Sequence, residues 1–285
     1  MDTGTAKLLI SCPDARGVVA AVAGFIAEHD GNLLEADQHT DPQNREFFMR
    51  VEIELDGFGL DEATFAAAWR PVAERFAMQW RIEWSTRVKR MAILVTRESH
   101  CLSDLLWRWS TGELGVELPL VISNHSDLGS IISAAGVTFR HEPVTPETRT
   151  EQEARILEQL DEHKIDFVVL ARYMQILTPA FVARWRECLI NIHHSFLPAF
   201  AGPRPYHQAF ERGVKIIGAT SHYVTDDLDS GPIIAQATLP VDHRDTVNDL
   251  IRKGRDLERV VLAQAVRHHV EDKILVSRNK TVVFD

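Results

Sequence analysis

The stretch "RMAILVT" (residues 90–96) begins a series of short apolar segments that decides the fold of most of the chain. It is followed by "CLSDLLWRWSTGEL" (101–114), whose apolar positions recur at helical spacing, and by another apolar segment, "LPLVISN" (118–124). The segment "DFVVLARY" (166–173) continues the pattern. Strands that are apolar along their whole length are buried on both faces, as in parallel sheets covered by helices. The sequence therefore predicts a doubly wound, mostly parallel α/β domain, which we place at residues 89–285.

A different pattern precedes this domain. The stretch "KLLISC" (7–12) predicts a buried strand, and "VVAAVAGFIAEHDG" (18–31) predicts a helix that ends at a glycine. In "REFFMRVEIEL" (45–55) apolar and polar residues alternate, which indicates an antiparallel strand with one wet face. A second helix and two further strands complete the order βαββαβ. We therefore predict a ferredoxin-like domain over residues 6–86.

The composition of the chain excludes several classes of function. A net charge of −10 over 285 residues, without any lysine- or arginine-rich block, argues against nucleic-acid and anionic-membrane partners. The apolar stretches are too short to span a bilayer. The chain has only three cysteines, without a CxxC pair, and its start lacks a secretory pattern. These features predict a soluble protein of the reducing cytoplasm.

The stretch "NIHHSFLPAFAG" (191–202) follows an apolar strand of the predicted α/β sheet, at the edge where such sheets bind ligands. If residues 189–193 form a strand, Asn191 and His193 point to one side and His194 to the other. The two histidines then cannot act as one unit unless the strand has already ended. An amide and an imidazole one pleat apart suit a developing oxyanion, although a polar pair at a strand end can also merely satisfy loop backbone.

The stretch "HYVTDDLDSGPII" (222–234) holds three carboxylates in four positions, at Asp226, Asp227 and Asp229. We expect this crowding of like charge to raise the pKa of at least one of them, as a general base requires. The calcium-loop pattern fails because Pro232 stands where a glycine is needed, and no zinc-binding pattern occurs, so we expect no metal. A solvated acidic turn is the alternative.

The stretch "LARYMQILTPAFV" (170–182) predicts a strand end followed by an apolar loop and a helix. Thr178 and Pro179 are typical of a helix N-cap and first helical position. An apolar loop at the ligand edge of a sheet suits a flat ring, although packing in the core is the alternative. The apolar residues of this loop are Met174, Ile176 and Leu177.

From residue 90 to the end, these stretches resemble the folate-dependent formyltransferase family. "NIHHSFLPAFAG" is similar to its N-I-H-x-S-x-L-P motif, and "HYVTDDLDSGP" to its H-x-V-x-x-x-x-D-x-G-P motif. The resemblance implies that Asn191, His193 and Asp229 are catalytic. It further implies a set of residues that bind the folate substrate: Arg172, Met174, Ile176, Leu177, Gly202, His222, Asp226 and Asp227.

One departure from the transformylase branch of that family concerns the acceptor of the formyl group. In that branch the first strand leads into a glycine-rich turn whose amides bind the substrate phosphate. The corresponding stretch, "VTRESHCLSDLLWRW" (95–109), contains no glycine, so water becomes the expected acceptor. The chain is similar here to the deformylase branch, which implies hydrolysis of 10-formyltetrahydrofolate to formate and tetrahydrofolate, in one-carbon metabolism and formate supply for purine biosynthesis. Folate is then the substrate, no cofactor is expected, and Cys101 is expected to be a packing residue rather than a nucleophile.

Two other functions stay open at this point. The first is a transformylase that passes the formyl group to an amine. The second is a sensor that binds folate without turnover.

The first 85 residues resemble an ACT domain, on the stretch "SCPDARGVVAAVAGFIAEHDGNLLEADQHTD" (11–41). The resemblance implies a regulatory amino acid such as glycine or methionine, and a homo-oligomer that is a dimer, tetramer or hexamer. Gly17 would permit a tight turn into the first helix, and Asn32 would lie near the ligand groove. Plain turn chemistry is the alternative for both residues.

Overall fold

The computed structural model describes residues 4–199 and 205–285, and the chain divides into two compact units. The first unit contains the chain up to Val88 together with Glu271–Ser277 and Val282–Asp285. The second unit contains Lys89–Val270 and Arg278–Thr281. Within the described ranges, every helix is too short or too polar to cross a bilayer.

The first unit is a four-stranded sheet with two helices. Its elements are β1 (Thr5–Pro13), α1 (Val18–Glu28), β2 (Asn32–Asp41), β3 (Glu46–Glu54), α2 (Glu62–Arg75) and β4 (Gln79–Trp84). The strand order is β2-β3-β1-β4, and every pair is antiparallel. Phe25 on α1 packs edge-on against Phe65 and Trp69 of α2, in a core that both helices share with the sheet. The predicted ferredoxin-like βαββαβ arrangement is confirmed.

Part of the end of the chain packs in the first unit, so this unit contains residues from both ends of the chain. Leu275 and Phe284 form a small apolar cluster with Leu9 and Phe48. This packing covers apolar side chains of β1 and β3 that would otherwise face water. The segment contributes two short strands, β12 (Ile274–Ser277) and β13 (Lys280–Val283), which the sequence analysis does not assign.

The second unit is built on a seven-stranded sheet of order β11-β10-β9-β8-β5-β6-β7. Its strands are β5 (Lys89–Val95), β6 (Val116–Ser123), β7 (Thr138–His141), β8 (Phe167–Ala171), β9 (Leu189–His193), β10 (Ile216–Tyr223) and β11 (Ile233–Pro240). Its helices are α3 (His100–Ser110), α4 (Gly129–Ala134), α5 (Arg149–Glu162), α6 (Pro179–Arg184), α7 (Pro205–Arg212) and α8 (Val247–Val270). The strands β5 to β9 are parallel, and β10 lies antiparallel between β9 and β11. The predicted mostly parallel α/β sheet is confirmed.

The apolar strands lie where the sequence pattern predicts. β8 is buried throughout, and so are the last five residues of β5. β7 is missing from the sequence analysis because it is only four residues long and two of these are exposed. The antiparallel β10 is the feature that shapes the ligand edge, since it aligns its own polar residues with the last residues of β9. In this register Thr220 lies opposite His193 and His222 lies opposite Asn191.

Candidate active site

The carboxyl end of β9 and the neighbouring β10 bring an amide and two imidazoles together. The side chain of Asn191 lies 3.3 Å from Nε2 of His222. The other ring nitrogen of His222 donates to the carbonyl oxygen of Tyr223 over 2.9 Å. In the neutral ring Nε2 is then the acceptor, so it takes one of the two N–H groups of the Asn191 amide. The second N–H remains for a ligand.

Asp229 lies in the turn between β10 and β11, with its carboxylate against the same imidazoles. One oxygen is 3.2 Å from Nδ1 of His193, and the other is 3.7 Å from Nε2 of His222. The hydrogen bond from His193, followed by the nearby His222 ring, holds the pKa of the Asp229 carboxyl well below its ordinary value. Asp229 is therefore not an aspartate whose pKa is raised by crowding, since its carboxylate faces imidazoles rather than other carboxylates.

His193 is buried, with only 6% of its surface exposed. Because Nδ1 is engaged by Asp229, Nε2 is the nitrogen left for a ligand. Nε2 is itself buried and has no hydrogen-bond partner among the described residues. His193 and Asn191 both line a cavity of about 690 Å³. Together they offer a pair of hydrogen-bond donors to one ligand atom, provided that Nε2 is protonated.

The turn after His193 is held by the hydroxyl of Thr220. This hydroxyl donates to the carbonyl oxygen of Ser195 over 2.9 Å and accepts from the amide of Leu197 over 3.1 Å. Gln236 on β11 donates to the same hydroxyl over 2.9 Å. Buried hydrogen bonds of this kind fix the exit of the chain from β9, and so fix the position of His193.

The strand β9 ends at His193, so the predicted alternation does not extend to His194. The rings of His193 and His194 are stacked, with centroids 5.1 Å apart and an angle of 29° between their planes. The expectation that the two rings point to opposite sides is therefore wrong, and both line the cavity. Burial, followed by the nearby Arg172 guanidinium that donates to Nδ1, lowers the pKa of His194 to about 4.

Arg172, predicted to bind folate, lies directly after β8 in a left-handed backbone conformation with φ of 61°. Its guanidinium reaches His194 and lies 3.6 Å from a carboxylate oxygen of Glu258. Arg172 therefore lines the same cavity as the apolar loop that follows it, while its guanidinium pairs with a residue of α8.

Glu258 is a buried residue that the sequence analysis missed, with 1% of its surface exposed. It accepts hydrogen bonds from Tyr206 over 2.6 Å and from His100 over 2.7 Å. Burial raises the pKa of the Glu258 carboxyl, but the hydrogen bond from His100 and the charge of Arg172 outweigh it, so the net shift is downward. A signal for Glu258 does exist in the sequence, because a glutamate stands among the apolar positions on the buried side of α8.

Gly254 allows Tyr206 to reach Glu258. A Cβ atom added at Gly254 would lie 2.0 Å from the Tyr206 hydroxyl oxygen. Only a glycine on α8 therefore leaves space for this contact.

The cavity has an apolar wall, and the predicted folate-binding loop forms part of it. The apolar side chains that line the cavity include Met174, Ile176, Leu177, Val224 and Leu228. Met174 and Ile176 are 56% and 60% exposed, so they offer apolar surface to a ligand rather than to the core. The loop is anchored at both ends, since the amide of Met174 donates to Thr96 and that of Thr178 donates to the buried Glu153, each over 3.0 Å. The predicted N-cap at Thr178 is confirmed.

The remaining predicted folate-binding residues differ in placement. His222 and Asp226 line the cavity. Asp227 is exposed and is not among the described residues that line it; its carbonyl oxygen accepts from Ser230 within the turn over 3.2 Å. Gly202 lies outside the described residues.

One group in the described part of the chain has the composition of a metal site, with ligand atoms of His100, Cys101 and Glu258 all within 4.8 Å of one another. Of these three residues, His100 and Glu258 are already hydrogen-bonded to each other. Burial, followed by the Glu258 charge, raises the pKa of the Cys101 thiol, whereas a metal requires the thiolate. The donor set therefore suits a hydrogen-bond network better than a metal, and the full burial of Cys101 agrees with a packing role.

In the first unit, Gly17 and Asn32 are not brought together at one cavity. Gly17 has a left-handed φ of 90° at the N-cap of α1, and it lines a cavity of about 510 Å³ with Asp14, Thr40 and Phe47. Asn32 is exposed and donates to Glu54 over 2.9 Å, and it is absent from the described residues around that cavity. The predicted turn at Gly17 is confirmed, and no regulatory role follows from its geometry alone.

Comparison with known proteins identifies two families along the chain. The Formyl transferase family profile matches residues 89–266, and the ACT domain profile matches residues 7–64. A formyltetrahydrofolate deformylase of Synechocystis is 54% identical over 284 residues, which cover 100% of both chains.

Solved structures extend this comparison to the fold. The crystal structure of a formyltetrahydrofolate deformylase from Pseudomonas syringae superimposes with a TM-score of 0.97 at 48% identity, covering 100% of this chain and 96% of that one. A glycinamide ribonucleotide transformylase from Symbiobacterium toebii matches with a TM-score of 0.66 at 31% identity, covering 71% of this chain and 97% of that one. The likeness to the transformylase therefore covers a smaller part of the chain than the likeness to the deformylase.

Proposed function

The chain belongs to the formyltetrahydrofolate deformylase family, and we propose that it hydrolyses 10-formyltetrahydrofolate to formate and tetrahydrofolate. The observation that carries the proposal is the arrangement around His193, with Asp229 bound to Nδ1 and an unpartnered Nε2 facing the cavity beside the Asn191 amide. This arrangement suits a reaction in which negative charge develops on a carbonyl oxygen.

The formyl oxygen is the atom that Asn191 and His193 bind in this proposal. As the carbonyl carbon becomes tetrahedral, its oxygen gains charge, and both donors bind it more strongly than in the ground state. For Nε2 of His193 to donate while Nδ1 is bonded to Asp229, the ring must carry a positive charge. The ionised carboxylate 3.2 Å away stabilises that charge.

Asp229 orients the attacking water and accepts its proton. The lowered pKa of Asp229 keeps it ionised at neutral pH, but it also makes the carboxylate a weak base that cannot hold the proton for long. As the carbon–nitrogen bond breaks, the protonated His193 gives the proton on Nε2 to N10 of the folate, and the proton that Asp229 took from water then restores the charge on the ring. The water oxygen remains on carbon, and the products are formate and the free secondary amine of tetrahydrofolate.

The apolar wall binds the flat pteridine ring, and no cofactor or metal is assigned to the reaction. Hydrolysis of a formamide is redox-neutral, so an electron carrier has no part in it. Two hydrogen-bond donors polarise the carbonyl in the way that a metal does in other hydrolases. Met174, Ile176 and Leu228 supply exposed apolar surface on the same cavity as the catalytic residues.

Formate release in the absence of any added acceptor tests this function. The purified protein is incubated with 10-formyltetrahydrofolate, and formate and tetrahydrofolate are measured together; we expect equal amounts of both. The Asp229→Asn protein, prepared in the same way, controls for a contaminating activity. Folate release that depends on an added amine would instead establish a transformylase, and binding without either product would establish a sensor.

The ACT domain supports a second proposal, that an amino acid such as glycine or methionine regulates turnover in a cytoplasmic homo-oligomer that supplies formate to purine biosynthesis. The match at residues 7–64 and the cavity beside Gly17 are its support. Formate release measured with and without each amino acid tests the regulation. The mass of the protein in solution, measured by light scattering, tests the homo-oligomer. Unchanged rates with either amino acid would refute these effectors, and a monomeric mass would refute the oligomer.

A further inference from the structure

The turn that carries Asp229 has a demanding backbone geometry. Asp229 has a left-handed φ of 53°, a conformation that residues other than glycine adopt infrequently and retain only where surrounding contacts hold it. At the same time its carboxylate lies 3.2 Å from Nδ1 of His193, the contact that pairs the charge on the ring in the proposed mechanism. The position of this turn therefore sets the geometry of the proposed reaction centre.

The sheet holds the turn on one side. Gly231 lies so close to β10 that a Cβ atom at this position would be 1.8 Å from the carbonyl oxygen of Tyr223. The amide of Tyr223 donates to the carbonyl oxygen of Pro232 over 2.9 Å. These contacts fix the end of the turn, just after Asp229, against β10.

Two side chains from the end of the chain bind the backbone where the turn enters β11. Asn279 donates from Nδ2 to the carbonyl oxygen of Ser230 over 2.8 Å. The hydroxyl of Thr281 donates to the carbonyl oxygen of Ile233 over 2.6 Å. Both side chains lie in the segment Arg278–Thr281, which belongs to the second unit and connects the paired strands β12 and β13. We call these two residues the hairpin clamp.

The hairpin clamp binds two carbonyl oxygens, one of which belongs to the residue directly after Asp229. Rotation of the Asp229 backbone out of the left-handed region would displace the peptide group that carries the Ser230 oxygen, and so break the hydrogen bond from Asn279. Because Asn279 is exposed, water can replace its amide as a donor. A water molecule does not fix the peptide group in one place, however, whereas a side chain on a paired hairpin does.

We propose that Asn279 and Thr281 are positioning residues for the hydrolysis, which hold the turn so that the Asp229 carboxylate stays against His193. This proposal rests on the proposed function. Neither residue is among the described residues that line the cavity, so we expect kcat rather than KM to depend on them. A single hydrogen bond of this kind corresponds to a factor of about 2 to 10 in rate, and a displacement of about 1 Å in a catalytic group can cost about 100-fold.

Initial rates of formate release at several concentrations of 10-formyltetrahydrofolate test the proposal. Thr281→Val removes the hydroxyl and keeps the shape of the side chain, and Asn279→Ala removes the amide. We expect each substitution to lower kcat by about 2- to 10-fold, and both together by about 10- to 100-fold, with KM unchanged. Thr281→Ser retains a hydroxyl and should have the kcat of the unchanged protein. The matched control is Lys280→Ala, at an exposed position of the same hairpin, which should also retain kcat.

A double-mutant cycle with Asp229→Asn distinguishes positioning of Asp229 from a general effect on the fold. If the hairpin clamp acts through Asp229, adding Asn279→Ala to Asp229→Asn should leave the remaining rate of formate release unchanged. A purely structural role would instead lower the rate by the same factor with and without Asp229.

The possible results separate the proposal from the function on which it rests. Equal kcat values in the unchanged, Asn279→Ala and Thr281→Val proteins, all shown to be folded by urea unfolding, would overturn the positioning role and leave the proposed function intact. An equal fractional loss in the Asp229→Asn background would overturn it as well. Absence of formate from the unchanged protein would overturn the proposed function itself.

Discussion

Asp229→Asn is the substitution that tests the proposed mechanism most directly, because it removes one charge and changes the shape of the side chain very little. The carboxylate of Asp229 lies 3.2 Å from Nδ1 of His193 and is 19% exposed. An amide in the same place can donate to Nδ1, which would leave the His193 proton on the other nitrogen and the ring neutral. It also cannot accept a proton from water.

The expected loss follows from these two roles. General-base catalysis contributes about 10²- to 10⁴-fold, and loss of the aspartate partner of a catalytic histidine costs about 10⁴-fold in serine proteases. The two effects act through one proton path and are not additive, so we expect kcat to fall by about 10³- to 10⁴-fold, or about 4 to 5.5 kcal/mol of barrier. KM should change little, because the apolar wall at Met174 and Ile176 is untouched.

Initial rates of formate release at several substrate concentrations separate kcat from KM in this variant. Asp161→Asn makes the same chemical change in an exposed ion pair outside the cavity and should keep the original kcat. Urea unfolding of both variants establishes that they are folded. If Asp229→Asn retained kcat within tenfold, Asp229 would not take part in proton transfer and the mechanism would be wrong.

Three further substitutions test separate parts of the structure. Asn191→Ala removes one donor to the formyl oxygen and should lower kcat by about 10²- to 10³-fold in the same assay, since that is the usual loss for one oxyanion donor; a fall below tenfold would remove Asn191 from this role. Gly254→Ala places a methyl group against Tyr206 and should lower the free energy of unfolding by about 1 to 3 kcal/mol. The control is Gly24→Ala, which lies in a helix with open space around it and should not destabilise the protein. Equal effects of the two substitutions would contradict the close approach of Tyr206 to Gly254. The pKa of His194 is lowered to about 4 in the folded protein, so the unfolded chain takes up a proton first as the pH falls below about 6.5. The free energy of unfolding therefore decreases between about pH 6.5 and pH 4, and at pH 5 this histidine accounts for a loss of about 2 kcal/mol at most. His194→Gln should therefore lose less stability between pH 7 and pH 5 in urea unfolding than the unchanged protein, and an identical pH dependence would refute the neutral, buried state of His194.

The parts of the site that were predictable from sequence are those where adjacent residues share one strand end or one turn. Asn191 and His193 stand at the end of an apolar strand, and Asp229 lies in the turn after the neighbouring strand β10. The carboxyl ends of parallel strands meet at one edge of the sheet, which predicts the position of Asn191 and His193. The strand β10 is antiparallel, so the closeness of Asp229 rests on the motif resemblance and not on this rule. The hydrogen bonds around Glu258 were not predictable in this way, since they join residues as far apart as His100 and Glu258, separated by 158 positions.

Two errors in the sequence analysis have local physical causes. The side of the sheet on which His194 lies depends on whether the strand includes that residue, and β9 ends one residue earlier. The expected rise in the pKa of at least one of Asp226, Asp227 and Asp229 assumed that carboxylates close in sequence are close in space, which does not hold for Asp229. The left-handed conformation at Asp229, with φ of 53°, accompanies a side chain that faces His193 and His222 instead.

The adjacent histidines differ because their neighbours carry opposite charges. His193 faces the Asp229 carboxylate, so a positive charge on this ring is paired. His194 faces the Arg172 guanidinium, which would repel a second positive charge. With their ring centroids only 5.1 Å apart, two protonated rings would also repel each other. Because Arg172 is itself held against Glu258, its guanidinium stays beside His194, and in the proposed mechanism His193 is therefore the ring that carries the positive charge.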